Sequence, residues 1–212
     1  MVRILAFSDF HDKRSLYRRA NKLIKRIKPD FVIMAGDMSN FGSLNKIENL
    51  LSSFEVKTFF IWGNMDGKEP EDQLKNITNL NLKTIKIDDI VLIGLGGNEK
   101  NFTQNFPKFY QIVEKAISES FNKIILVTHI PPYKYGDLTK PYLGQQGKHV
   151  GSKQYLKLIE EFQPAISICG HIHEAHAEYQ VNKSIILNAG KEGFEINIDN
   201  KIEIYDLKNY LV

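Results

Sequence analysis

A single cysteine, Cys169, stands in a chain of 212 residues. That excludes an internal disulfide, so the fold must rest on burial, and a lone thiol fits a reducing compartment. No apolar run approaches the ~20 residues that a membrane-spanning helix requires. The apolar start, Val2 to Phe7, runs into Ser8-Asp9 rather than a small-residue cleavage site, which leads us to expect a soluble cytoplasmic protein with no membrane partner. In that setting the sequons at Asn76, Asn101 and Asn182 read as chance. Repeats, low-complexity tracts and linkers are missing too, so one domain over 1–212 is expected, burying roughly 70% of its unfolded surface. Charge of one sign is also lacking: 28 Lys+Arg face 25 Asp+Glu, a net +3, too balanced for a polyanion binder working by bulk attraction. Only five arginines occur, four of them within 13–27.

What the chain does have is alternation. Residues 2–7 predict a buried strand, and 13–27 a helix with Leu16, Ala20, Leu23, Ile24 and Ile27 on one stripe. Strands follow at 31–35 and 58–62, with a helix at 43–53 between them. Further strands are predicted near 83–87, 90–95, 124–127, 165–169, 176–181, 184–188 and 193–205, the last a hairpin around Asp199-Asn200, with helices at 107–120 and 152–162. Apolar strands separated by amphipathic helices argue for right-handed crossovers and a parallel core, an α/β fold. Residues 130–150, with three prolines, three glycines and three tyrosines, have no usable period and read as a lid or binding loop, or as disorder.

Each strongly apolar strand runs into residues of metal-ligand type. These are Asp9-Phe10-His11, Gly36-Asp37, Gly63-Asn64-Met65-Asp66, Thr128-His129 and Gly170-His171-Ile172-His173. In a parallel sheet the carboxyl ends of the strands share one edge, where ligands bind. In an extended segment residues i and i+2 point the same way, so Asp9 with His11, and His171 with His173, would face one cleft. Glycine before Asp37, Asn64 and His171 lets backbone come close. Singly, each motif has an ordinary reading as a helix cap or a packed histidine. In this order, all at strand ends, they argue for a metal site. Imidazole with carboxylate suits Mn, Fe, Zn, Ni or Co. Seven candidates exceed one tetrahedral ion and fit two ions sharing a bridging carboxylate.

On these motifs the chain resembles the calcineurin-like metallophosphoesterases, whose order is Asp-x-His, Gly-Asp, Gly-Asn-His-Asp/Glu, a lone His and Gly-His-x-His. The resemblance runs from residue 9 to residue 173. It implies two mixed β-sheets packed as a sandwich and flanked by helices. It also implies a first metal on Asp9, His11 and His173, a second on Asn64, His129 and His171, and Asp37 bridging both, with manganese favoured. The implied activity is hydrolysis of phosphodiester or phosphomonoester bonds by a metal-bound hydroxide. A nuclease acting on single-stranded nucleic acid, or a non-catalytic interaction scaffold on the same fold, is the alternative.

One motif departs from the pattern. Met65 stands where most members carry His, and a thioether transfers no proton. His149, closing the long loop in His149-Val150-Gly151-Ser152, is the candidate substitute; its ordinary reading is an exposed His beside a helix capped by Ser152. Asp66 is expected to orient a ligand loop or to cap the next helix. His176 reads as a strand residue, Asn188-Ala189-Gly190 as a turn rather than a lining of the cleft, and the cationic face of 13–28 as a solvated surface rather than a guide for a polyanion. Gly94-Leu95-Gly96-Gly97 lacks the third glycine of a dinucleotide fingerprint.

Overall fold

The computed structural model describes residues 1–41, 44–67, 76–119, 123–142 and 145–210. Strand β1 (Val2–Phe7), helix α1 (Arg14–Ile27), β2 (Phe31–Ala35), α2 (Leu44–Leu51), β3 (Lys57–Ile61) and β4 (Ile77–Asn79) build the first half. The second half comprises β5 (Thr84–Ile87), β6 (Ile90–Leu95), α3 (Glu99–Ser118), β7 (Lys123–Thr128), α4 (Lys153–Phe162) and β8 (Ile166–Cys169). It ends with β9 (Ala177–Val181), β10 (Ser184–Asn188), β11 (Phe194–Ile198) and β12 (Ile202–Asp206).

These strands form two six-stranded sheets, ordered β12-β11-β1-β2-β3-β4 and β5-β6-β7-β8-β10-β9. Each has a parallel centre with antiparallel strands at one or both ends. Successive side chains on a strand point to opposite faces, and here both faces are covered. Ile4 and Ala6 of β1 lie in the layer between the sheets with Ile33, Ile61, Leu92, Val127 and Ile168. Leu5 and Phe7 lie in the outer layer, beneath Tyr17, Ala20, Leu23, Ile24 and Ile27 of α1. A matching layer joins the second sheet to α3 and α4 through Phe102, Phe109, Tyr155 and Leu158. Continuous apolar strands, rather than alternating ones, follow from this double coverage. The carboxyl ends of β1, β2, β3, β7 and β8 all lead to the residues picked out above, as the implied sandwich requires.

The structure corrects several boundaries. Helix α3 starts eight residues before the expected 107, at Glu99, and holds Pro107 inside it. The Asn98 side chain caps it by accepting from the Asn101 N–H, and the stripe Phe102, Phe106, Phe109, Val113 outweighs the bond that proline forfeits. Strand β4, too short and polar to show a pattern, was not expected. Ser152 caps α4 as anticipated, accepting from the Tyr155 N–H. The described part of 130–150 is ordered rather than structureless, bridged at Leu138–His149 and at Tyr142–Gln145. Tyr135 packs edge-on against Tyr179, whereas Tyr142 is exposed. The Gly94–Gly97 motif serves packing between the sheets. A Cβ at Gly94 would lie 2.7 Å from Ile61, and one at Gly96 would lie 2.6 Å from the Trp62 backbone.

Candidate metal centre

The ligand loops adopt a conformation that side chains rarely take. Asp9, His11, Asp37 and His171 have φ of 61°, 46°, 50° and 70°. This overturns the extended i, i+2 reading: left-handed turns, not a strand, aim these groups. Each such residue costs of order 1 kcal/mol and persists only where its surroundings hold it. Here the Asp9 N–H bonds Gly36 O and the His11 N–H bonds Asp37 O, lacing two loops together. His173 likewise lies in a short 3₁₀ turn, 173–175, not in a strand.

The ring and carboxylate atoms converge. Nε2 of His11 lies 2.9 Å from Nε2 of His173 and 3.7 Å from Oδ2 of Asp37. Oδ1 of Asp9 lies 3.4 Å from His173 Nε2, and Asp37 Oδ2 lies 3.4 Å from His129 Nε2. Two overlapping groups result, Asp9-His11-His173 and Asp9-Asp37-His129, each with ligand atoms within 4.8 Å of one another. The first opens to solvent at His173, and the second is buried throughout. Asn64 joins the second through Oδ1, 3.1 Å from His129 Nε2. His171 enters neither group: its ring stands edge-on to His129 with centroids 5.0 Å apart, and its backbone N–H donates to Asp9. All seven candidates are thus brought to one region, five of them into carboxylate–imidazole groups.

Tautomers are set from behind. His129 Nδ1–H donates to Ala35 O at 2.9 Å, and His11 Nδ1–H donates to Asn40 Oδ1 at 3.0 Å, so both Nε2 atoms face inward. Asp66, fully buried, accepts from Ser39 N–H and Oγ–H on one oxygen and from Gly63 N–H on the other. It therefore joins the Asp37 loop to the Asn64 loop. The helix-cap alternative for it falls on residues outside the described ones. Asn40 and Ser39 went unrecognised as supports in the sequence. Asn188 reads there as a turn residue, yet its side-chain N–H₂ bonds Gly136 O, Gly170 O and Ile172 O, holding the His171 loop. His176 is a brace just outside β9, donating from Nδ1 to Ala189 O and pairing Nε2 with Asp206 at 3.0 Å.

The electrostatics are those of a site short of positive charge. Burial disfavours the Asp37 carboxylate, but the His129 bond and charge and the Met65 N–H outweigh it, and its pKa falls below the ordinary value. Burial likewise opposes a charged His129, yet Asp37 and Asp9 push it up to about 9. Burial and the neighbouring His129 cation push His171 down to about 4. With His11 and His129 neutral, their Nε2 lone pairs would face the Asp37 carboxylate, a conflict that a cation between them removes. Mixed imidazole, carboxylate and amide donors suit a divalent transition metal.

Glycine is required where the loops meet. A Cβ on Gly63 would lie 2.0 Å from Asp37 Oδ1 and 2.3 Å from its backbone N. Gly63→Ala is therefore expected to cost about 1–3 kcal/mol in urea unfolding. Calorimetry should show manganese affinity weakened at least as much as by loss of an outer-shell partner, about 10–100-fold.

His149 is exposed and belongs to neither ligand group. Its Nδ1 pairs with Asp137 Oδ1 at 2.6 Å, and among the described residues that carboxylate is its ring's polar partner. Asp137 is fully buried and takes the Gly151 N–H on its other oxygen. The loop carrying both is sewn to the ligand turn by Asn188 on Gly136 O and by Glu174 accepting from Lys140 N–H.

Comparison with known proteins agrees with this geometry. The calcineurin-like phosphoesterase family pattern matches residues 2–175. The uncharacterized protein MJ1162 of Methanocaldococcus jannaschii is 30% identical over 227 residues, spanning 100% of this chain and 94% of its own. Among solved structures, a dimetal phosphatase from Danio rerio superposes with a TM-score of 0.71 at 11% identity, covering 97% of this chain and 95% of that one. GAP50, the anchor in the inner membrane complex of Plasmodium, superposes at 0.67 and 14% identity, covering 98% and 85%. Likenesses at such identities speak for the fold. Among the described residues no helix is long and apolar enough to cross a membrane. By the family match and the full-length relative, the chain belongs to the calcineurin-like phosphoesterases, a family of metal-using hydrolases.

Proposed function

We propose that the protein is a dinuclear-metal phosphoesterase. Asp9, His11 and His173 would hold one divalent cation, and Asn64, His129 and His171 the other, with Asp37 between them. The observation that carries this reading is the convergence of the inward-facing Nε2 atoms of His11, His129 and His173 on Asp9 and Asp37. Asp37 Oδ2 lies within 4 Å of a histidine from each group, where a bridging ligand belongs. Manganese is the favoured cation, with iron, zinc, nickel and cobalt suited to the same donors. Such a cation pair, when bound, lowers the pKa of water and neutralises charge growing on the phosphoryl oxygens.

The chain's own residues do the rest. Asn40 and Ala35 O keep His11 and His129 aimed inward, Asp66 holds the two ligand loops in register, and neutral Asn64 leaves the site more positive than a third carboxylate would. His149 acts as the proton donor to the leaving group in place of the missing imidazole at Met65, and Asp137 orients it. A phosphodiester or phosphomonoester is the substrate class, and the single buried cysteine fits a cytoplasmic enzyme. The test is a screen of EDTA-stripped protein with and without manganese against an aryl phosphomonoester, an aryl phosphodiester, nucleotides and single-stranded DNA. Manganese-dependent turnover of at least one ester is expected, and its absence across all of them would overturn the hydrolase.

A further inference from the structure

The cationic face of α1 divides into groups that are used and groups that are not. Arg19 donates to the backbone oxygens of Glu192 and Leu207, and Arg26 lies over the Tyr210 ring. Both tie the helix to the C-terminal segment. Arg14 and Arg18 differ. They are exposed, one helical turn apart, and among the described residues neither has an acidic partner. With Lys46 they line a cleft of about 800 Å³ between α1 and α2. The carboxylate in that lining, Asp12, accepts on Oδ2 from Lys46 at 2.6 Å and from the Asn40 N–H at 3.0 Å, while its Oδ1 is buried without a hydrogen-bond partner among the described residues. Three cations against one carboxylate leave the cleft net positive, and Asn21 and Asn49 add neutral hydrogen-bonding groups.

Asp12 connects the lining of this cleft to the metal centre. Asp12 follows His11 in the chain, and Asn40 holds both, its N–H on Asp12 and its Oδ1 on His11 Nδ1. The next residue, Phe41, bonds its backbone N–H to Met65 O and leaves its ring largely exposed. Such a ring offers a stacking face to any base. Guanidinium forks fit phosphate oxygens, so a positive cleft connected through Asp12 to a phosphoester centre suits a substrate with a second phosphate.

Resting on the hydrolase reading, we infer that this cleft is a subsite for the neighbouring phosphate of a short single-stranded nucleic acid. The remaining cations of α1 are a solvated face. Binding is to be measured by calorimetry on manganese-loaded and on metal-free protein. The probes are a thymidine trinucleotide with hydrolysis-resistant phosphorothioate linkages and thymidine monophosphate.

The trinucleotide should bind the loaded protein about 10-fold or more tighter than the monophosphate. Arg14→Ala with Arg18→Ala should bring that ratio close to one and flatten the log–log salt slope by about 0.7 for each phosphate no longer neutralised. Lys22→Ala with Lys25→Ala removes the same charge from the same helix and should preserve the ratio. Metal-free protein should still bind the trinucleotide weakly, and the Arg14/Arg18 variant should not.

Equal weakening by both double variants would reduce the cleft to diffuse helix charge and overturn the subsite, as would no weakening by either. Turnover of an aryl phosphodiester by wild-type protein with manganese reads the metal centre separately. Turnover present with trinucleotide binding indifferent to Arg14 and Arg18 sinks the subsite alone. Turnover absent with Arg-dependent binding intact sinks the hydrolase and leaves a nucleic-acid site.

Discussion

Asp37→Asn is expected to lower manganese-dependent turnover of an aryl phosphodiester at least about 10³-fold, roughly 4 kcal/mol of transition-state stabilisation. The substitution keeps the side-chain shape, and an oxygen can still accept the Met65 N–H now bonded at 2.8 Å. What it removes is the charge that faces a histidine from each ligand group, His11 at 3.7 Å and His129 at 3.4 Å. If Asp37 lies between two cations as proposed, losing another ligand would weaken one of them, whereas this change would weaken both. A second measurement separates that loss from misfolding. Wild-type protein should gain about 2.7 kcal/mol of stability with manganese at a hundred times its Kd, read as a rise in Tm. The variant should fold in EDTA but show little such rise. Turnover within tenfold of wild type would mean that Asp37 does not lie between two catalytic cations.

The candidate ligand residues stood out in the sequence because they sit where apolar strands end, and burial of both strand faces makes those ends sharp. Ile4 and Leu5 look alike as letters although one faces the opposite sheet and the other faces α1. For the same reason no periodicity said which strands share a sheet; that division depended on the family resemblance. The loop conformations lay further out of reach. Asp9 and His171 turn left-handed because tertiary bonds hold them, from the Asp9 N–H to Gly36 O and from the His171 N–H to Asp9. No local residue type announces either turn. The helix expected from 107 begins at Glu99, because the Phe102–Phe106 stripe extends it back past Pro107. Asp137 was one polar residue in a stretch of prolines, glycines and tyrosines, and only the folded chain shows it buried beneath His149.

The pairing of exposed His149 with buried Asp137 leads to the other large effect, a change in leaving-group dependence. An imidazole that protonates a departing oxygen matters most when the oxygen leaves badly, and general acids of this kind contribute about 10²–10⁴-fold. His149→Ala should therefore lower kcat about 10²-fold or more for a phenyl phosphodiester, but roughly tenfold less than that for the 4-nitrophenyl ester. Asp137→Asn keeps an oxygen for one of the two donors and faces the other with an amide, so one of His149 Nδ1–H and Gly151 N–H loses its partner. Its loss should be smaller, about tenfold, with the same skew between esters. Met65 supplies the decisive control, because its N–H already bonds Asp37 and so places position 65 at the centre. Met65→His added to His149→Ala should recover at least about tenfold on the phenyl ester, as a replacement acid would. Equal losses on both esters, or no recovery from the second imidazole, would leave His149 a prop for its loop, and the proton would have to come from another group.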